Sequence, residues 1–210
     1  MRYIMLDHGG VLSGEPYEGD IDALSQDDLV LSEIYPGASM VLRDGVKILN
    51  CLSDLVSNHE CKLVFHSKNR GPEQCLLWEQ ISTAAREKGI AIPEVYAMAV
   101  YDVNRYPDNT PENPLIDLTT SNSMIVGYGQ GERNGKACVR QALSVALAID
   151  ETSRSDCTVF DDGNSVIEVA RLEGYQAYLI GGGTHAASFS TAIECLYTQI
   201  TETPRSCFSI

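Results

Sequence analysis

Asp7, Ser67, Lys136 and the pair Asp161-Asp162 are the residues whose types and placement suit chemistry. A carboxylate can act as a nucleophile or hold a hard cation. A hydroxyl and an ammonium bind anionic oxygens and meet negative charge as it develops. Asp7 follows the short apolar run Tyr3-Ile4-Met5-Leu6 and precedes His8-Gly9-Gly10-Val11-Leu12. An acidic residue at the carboxyl end of the first strand of an open α/β sheet sits where such folds place their ligands. The glycine-containing turn after it, with Gly9 and Gly10, lets a ligand approach the backbone. Each station also has a plainer reading. Asp7 could form a turn, Ser67 could cap a helix or a turn, Lys136 could be a solvated helix-start lysine, and Asp161-Asp162 could be a turn before Gly163-Asn164. His8 points the other way from Asp7 on an extended chain, so packing or a loop contact is expected of it. His66 reads as a strand-end residue.

These residues need elements that bring them together, and the chain supplies an alternating order. Strand 3–7 is followed by an acidic stretch from Gly14 to Glu33 and a turn signal at Tyr35-Pro36-Gly37. Val41 to His59 carries a helical apolar stripe, and Cys61 to Phe65 is a second buried strand ending at His66-Ser67-Lys68-Asn69-Arg70. A helix runs from Pro72 to Lys88 with Gly89 as its C-cap. Val95 to Val103 is β-prone, 104–113 reads as an exposed loop, and Met124 to Val126 as a short strand. The remaining pattern is helix 136–149, strand 157–160, helix 166–173, strand 177–180, the connection Gly181-Gly182-Gly183 and helix 186–200. Alternation of this kind predicts an α/β fold, a doubly wound parallel sheet with helices on both faces. Strand carboxyl ends then lie along one edge, where polar groups converge on a crevice.

The composition bounds the rest. A chain of 210 residues, 44% hydrophobic and 21% charged, can bury a core as one domain. The net charge of -14 and pI near 4.5 argue against nucleic acid and anionic membranes as partners. Neither a membrane-spanning run nor a signal peptide is read, so a cytoplasmic protein is expected. The seven cysteines are odd in number and form no C-x-x-C pair, which favours reduced thiols over disulfides or zinc. The oligomeric state is not legible.

The ordered stations resemble the haloacid dehalogenase-like (HAD) hydrolase superfamily over nearly the whole chain. Asp7-His8-Gly9-Gly10-Val11-Leu12 looks like motif I, D-x-D-G-[TV]-[LV]. Ser67 after Leu63-Val64-Phe65-His66 looks like motif II, and Lys136 after Gly135 like motif III. Val159-Phe160-Asp161-Asp162, with Val166 to Ala170 and Gly174 beyond, looks like motif IV. The resemblance implies a Rossmann-like core and a Mg²⁺-dependent attack of Asp7 on a phosphorylated substrate, giving an aspartyl-phosphate. It implies Mg²⁺ ligands at Asp7, the Gly9 carbonyl and Asp162, with Asp161 binding through water or orienting its neighbour. Ser67 and Lys136 would hold the phosphate oxygens. Gly10, Lys68 and Arg70 are candidate substrate contacts, although basic residues in exposed loops are common.

The chain departs from the family at one position: Gly9 stands where motif I has its second Asp, the residue that protonates the leaving oxygen and then activates water. The paired acids Asp161-Asp162 argue against the metal-free dehalogenases. The interval before Tyr35 holds no lysine for the Schiff base of phosphonate-cleaving relatives. The expectations are a phosphohydrolase with an atypical acid/base, a lapsed binding or regulatory protein, or an enzyme whose acid comes from segment 15–28 or 102–117. The segment 13–36 is a short cap-position insertion and 102–122 a possible flap. With little or no cap the site is expected to be open, which suits a macromolecular substrate or a cap lent by a partner.

Overall fold

The structure, a computed structural model, describes residues 1–35, 38–67, 71–118, 123–131, 135–181 and 186–202. Its centre is a seven-stranded sheet built from short apolar runs. In chain order these are β1 (Arg2–Leu6), β5 (Cys61–Phe65), β6 (Val95–Tyr101), β7 (Leu115–Asp117), β8 (Met124–Tyr128), β9 (Cys157–Asp161) and β10 (Gln176–Leu179). The spatial order is β10-β9-β1-β5-β6-β8-β7, and only the edge pair β7–β8 is antiparallel. The sheet is thus mostly parallel, consistent with a Rossmann-like fold.

Helices cover both faces because the apolar strand runs alternate at period two. Ile4, Leu6, Leu63 and Phe65 face one core, which contains residues of α1 (Gly45–Asn58), α2 (Gly71–Glu87) and α5 (Phe189–Glu202). Met5, Val64 and Val159 face the other, with α3 (Lys136–Ala146) and α4 (Asn164–Leu172). Continuous apolar strands are what a sheet buried on both faces requires. Trp78 is partly buried and meets Phe65 edge-on at 5.3 Å.

A second, three-stranded antiparallel sheet lies between β1 and α1 in sequence, in the order β2-β4-β3: β2 (Glu15–Tyr17), β3 (Leu29–Tyr35) and β4 (Ala38–Leu42). Sequence periodicity starts the helix at Val41, whereas Val41 and Leu42 belong to β4 and pair with β3; α1 begins only at Gly45. The change of element occurs at Asp44, which is left-handed at φ 52° and ends the extended run. Buried Asp28 ties this region together, accepting from Arg43 Nη1 (2.8 Å), the Asp44 N–H (2.9 Å) and the Ser25 N–H (3.2 Å).

The segment read as an exposed loop, 104–113, is anchored. Tyr106 and Pro111 are buried, and Tyr106 lies against Gly127, where no Cβ would fit beside the ring. Within the possible flap, Leu115–Asp117 forms the edge strand β7. Gly89 takes φ 70° beyond α2, as its C-cap role requires. The turn residues Pro36 and Gly37, and Gly182 and Gly183, lie outside the described residues, as does Cys207. The other six cysteines are free thiols. No helix among the described residues is long and apolar enough to cross a membrane.

Candidate active site

The chain leaves β1 toward β5 on one side of the sheet and returns to β9 on the other, so strand order switches direction between β1 and β9. A crevice at the carboxyl ends of strands flanking such a switch is where open α/β sheets bind ligands. Asp7 extends β1 into it, its N–H donating to Phe160 O at 3.0 Å. Asp161 ends β9, and Asp162 follows, exposed. Lys136 is the first residue of α3.

These four side chains meet. Lys136 Nζ lies 2.6 Å from Asp7 Oδ1 and 2.8 Å from Asp161 Oδ2, and it donates to His66 O at 3.2 Å. Carboxylate oxygens of Asp7, Asp161 and Asp162 all lie within 4.8 Å of one another. They line a cleft of about 470 Å³ together with Arg140 and Ser165. Asp7 and Asp161 are buried, at 6% and 1% exposure. Burial pushes the Asp7 carboxyl up to about 6; Asp161 adds to the rise, while Lys136 and the His8 N–H oppose it. Taking a carboxylate out of water disfavours its charge more strongly than one shared ammonium restores it.

Local backbone explains the placement. The His8 N–H donates to Asp7 Oδ1 at 2.7 Å, and the chain then turns through Gly9 and Gly10. Gly10 has φ 67°, and a Cβ there would collide with the Asp162 carboxylate, so glycine admits that acid to the site. Gly9 differs. It has an ordinary backbone, φ -76° and ψ 140°, and nothing lies within 4 Å of where its Cβ would be. The absence of an acid at position 9 is therefore not forced by space. On the other strand end, the Gly163 N–H donates to Asp161 Oδ1 at 2.8 Å and fixes that carboxylate toward Lys136.

Ser67 follows β5 beside the end of β1, the preceding His66 N–H donating to Leu6 O at 2.8 Å. It is buried, and it does not line the cleft with Asp7. Lys68 and Arg70 lie outside the described residues. His8 is buried, with Nε2 3.2 Å from Glu73 O, a packing role.

One neighbour, Arg140, escaped the sequence reading, and the strand-end His66 takes a place there too. Arg140, 2% exposed, lines the cleft, and its Nε donates to Glu173 Oε2 at 2.7 Å. It lies four residues past Lys136 on α3, the spacing that puts both on one helix face. His66 is fully buried behind the cluster, Nδ1 3.8 Å from Asp161 Oδ2. Burial, then the charges of Lys136 and Arg140, hold its imidazole neutral, well below the usual histidine range.

The donors are hard oxygens, three carboxylates against one ammonium, and Asp162 is open to solvent. That set fits a hard divalent cation better than a soft one. Comparison of the chain with protein-family models and with curated proteins finds no match.

Proposed function

We propose that this chain is a metal-dependent phosphohydrolase of the haloacid dehalogenase-like (HAD) type, acting through an aspartyl-phosphate on Asp7. The observation that supports it most is the meeting of Asp7, Lys136, Asp161 and Asp162 at the switch point of a parallel sheet. Asp7, Asp161 and Asp162 would hold Mg²⁺, with the Gly9 carbonyl as a further oxygen. When bound, the cation supplies charge that screens the approach of phosphate to carboxylate.

The chain's own groups do the rest. An Asp7 carboxylate oxygen attacks phosphorus, and the bond from phosphorus to the leaving oxygen breaks with its electron pair. Lys136 releases one carboxylate contact to hold a non-bridging oxygen, its other bond to Asp161 keeping the ammonium in place. A water oxygen then attacks phosphorus, the bond from phosphorus to the Asp7 oxygen breaks with its electron pair returning to the carboxylate, and the water's proton passes to solvent, leaving inorganic phosphate. Gly9 gives neither proton transfer a side chain.

A second reading is a lapsed binding or regulatory protein. It is favoured by Gly9 and by the ion pair that already engages Asp7. Acetyl phosphate, a small substrate with a good leaving group, separates the two. With Mg²⁺ it is expected to add one phosphoryl mass to the intact protein and none to Asp7→Asn. No labelling, together with no shift in melting temperature on adding Mg²⁺, would leave the binding reading.

A further inference from the structure

A second cleft, of about 360 Å³, adjoins the first. The two share Asp162, and the second also includes Gly10 of the turn after Asp7. Its character is different. Its walls come from the turn after β1, from β2, from β4 and the turn after it, from the residue after β10 and from the start of α5; they include exposed Pro16 and the buried Val11, Val41, Leu42, Ile180 and Phe189. A cavity of about 150 Å³ is enough for a benzene ring, so this cleft has room for a substituted one.

The chemistry at position 9 restricts what can leave through it. With no acid at position 9, a leaving oxygen that can depart unprotonated is the easiest to expel. An alkoxide is about as basic as hydroxide, whose conjugate acid has a pKa of about 16, whereas a phenol ionises near 10. Three carboxyl groups line this cleft among the described residues. Glu15 is tied to Arg43 Nε at 2.9 Å, Asp162 belongs to the acidic cluster, and Asp44 stands at the start of α1. None of them stands at position 9.

We infer that this cleft binds the aromatic leaving group of an aryl phosphate monoester, whose phosphoryl group lies over Asp7 and Lys136. The inference rests on the phosphohydrolase reading and adds the substrate class. Asp7 attacks phosphorus, the bond from phosphorus to the aryl oxygen breaks, and phenolate departs with the electron pair and takes its proton from water. The ring sits against Pro16 and the edge of Phe189, and Asp162 lines both the cleft of the ring and that of the phosphate.

Three measurements on the intact protein test it. Labelling of Asp7 by acetyl phosphate examines the underlying reading without any ring. Calorimetric binding of phenylphosphonate against methylphosphonate examines the cleft without turnover; the phenyl compound is expected to bind about tenfold tighter, as burial of one ring implies. Rates on phenyl phosphate and ethyl phosphate examine the leaving group, with kcat/KM at least about a thousandfold higher for the aryl ester. Pro16→Glu, which sets a charge on the exposed rim of the cleft, is expected to erase the preference for phenylphosphonate. Labelling with equal binding of the two phosphonates, or with equal rates on the two esters, overturns the inference and leaves the phosphohydrolase standing. No labelling removes both.

Discussion

Replacing Asp7 by Asn is expected to abolish phosphoryl transfer and at the same time to stabilise the metal-free protein. Asp7 is 6% exposed, and its carboxyl is raised from 3.8 to about 6 by burial and by Asp161, in spite of Lys136 at 2.6 Å. A carboxyl whose folded pKa lies above its unfolded value favours the folded state at low pH. That contribution is whole below about 3.8 and is lost as pH rises through about 6. A tenfold difference in proton affinity between the folded and unfolded chain is worth about 1.4 kcal/mol, so ionised Asp7 costs up to about 3 kcal/mol above pH 6. Asn keeps the shape without the charge, and Lys136 retains Asp161 as its partner. Urea denaturation in the presence of a chelator measures the difference. At pH 7.5 Asp7→Asn should exceed the parent by up to about 3 kcal/mol, and near pH 4 the two should nearly coincide. A variant less stable than the parent at pH 7.5, or a difference that ignores pH, would refute the claim that desolvation outweighs the lysine at this carboxylate.

Gly9→Asp should fold within about 1 kcal/mol of the parent, because the backbone is ordinary and the site open. It should raise turnover of alkyl phosphates by about a hundredfold or more; unchanged alkyl rates in a folded variant would show that position 9 is not where the acid is missing. Lys136→Met leaves Asp7 and Asp161 buried without their shared ammonium. A loss of about 3–5 kcal/mol at pH 7.5, shrinking toward pH 4.5, is expected in denaturation curves, and an unchanged midpoint would mean that the ion pairs carry no weight. Gly127→Ala forces a methyl against the buried Tyr106 ring. Its cost should be about 1–3 kcal/mol of stability, with no loss if the 104–113 segment is as loose as its composition suggests.

The sheet was legible because its strands are unbroken apolar runs whose length and spacing admit few alternatives. Tyr3 to Leu6, Cys61 to Phe65 and Cys157 to Phe160 match β1, β5 and β9 to within a residue at each end. The antiparallel sheet of β2, β3 and β4 was not legible. The acids between Gly14 and Glu33 hide its pattern, and Val41-Leu42 fits a helical stripe as readily as a strand. Pairing with β3, a long-range event, decides between them. Tyr106 shows the same limit: a tyrosine among Pro and Asn reads as loop, and only the bare backbone of Gly127 across the fold gives its ring a place.

The residue types at the site were set by the sequence alone: an acid after the first strand, a lysine at a helix start, two acids after a later strand, and no acid at position 9. Local chain physics fixes each of those, since strand and helix ends follow from short-range pattern. What the tertiary structure decided is how they meet. Lys136 stands between Asp7 and Asp161, Asp162 lines both clefts, and Ser67 is buried at the end of the strand beside them. Those relations depend on strand order, on which strand ends flank the switch point, and on charges that shift one another only once water has been excluded.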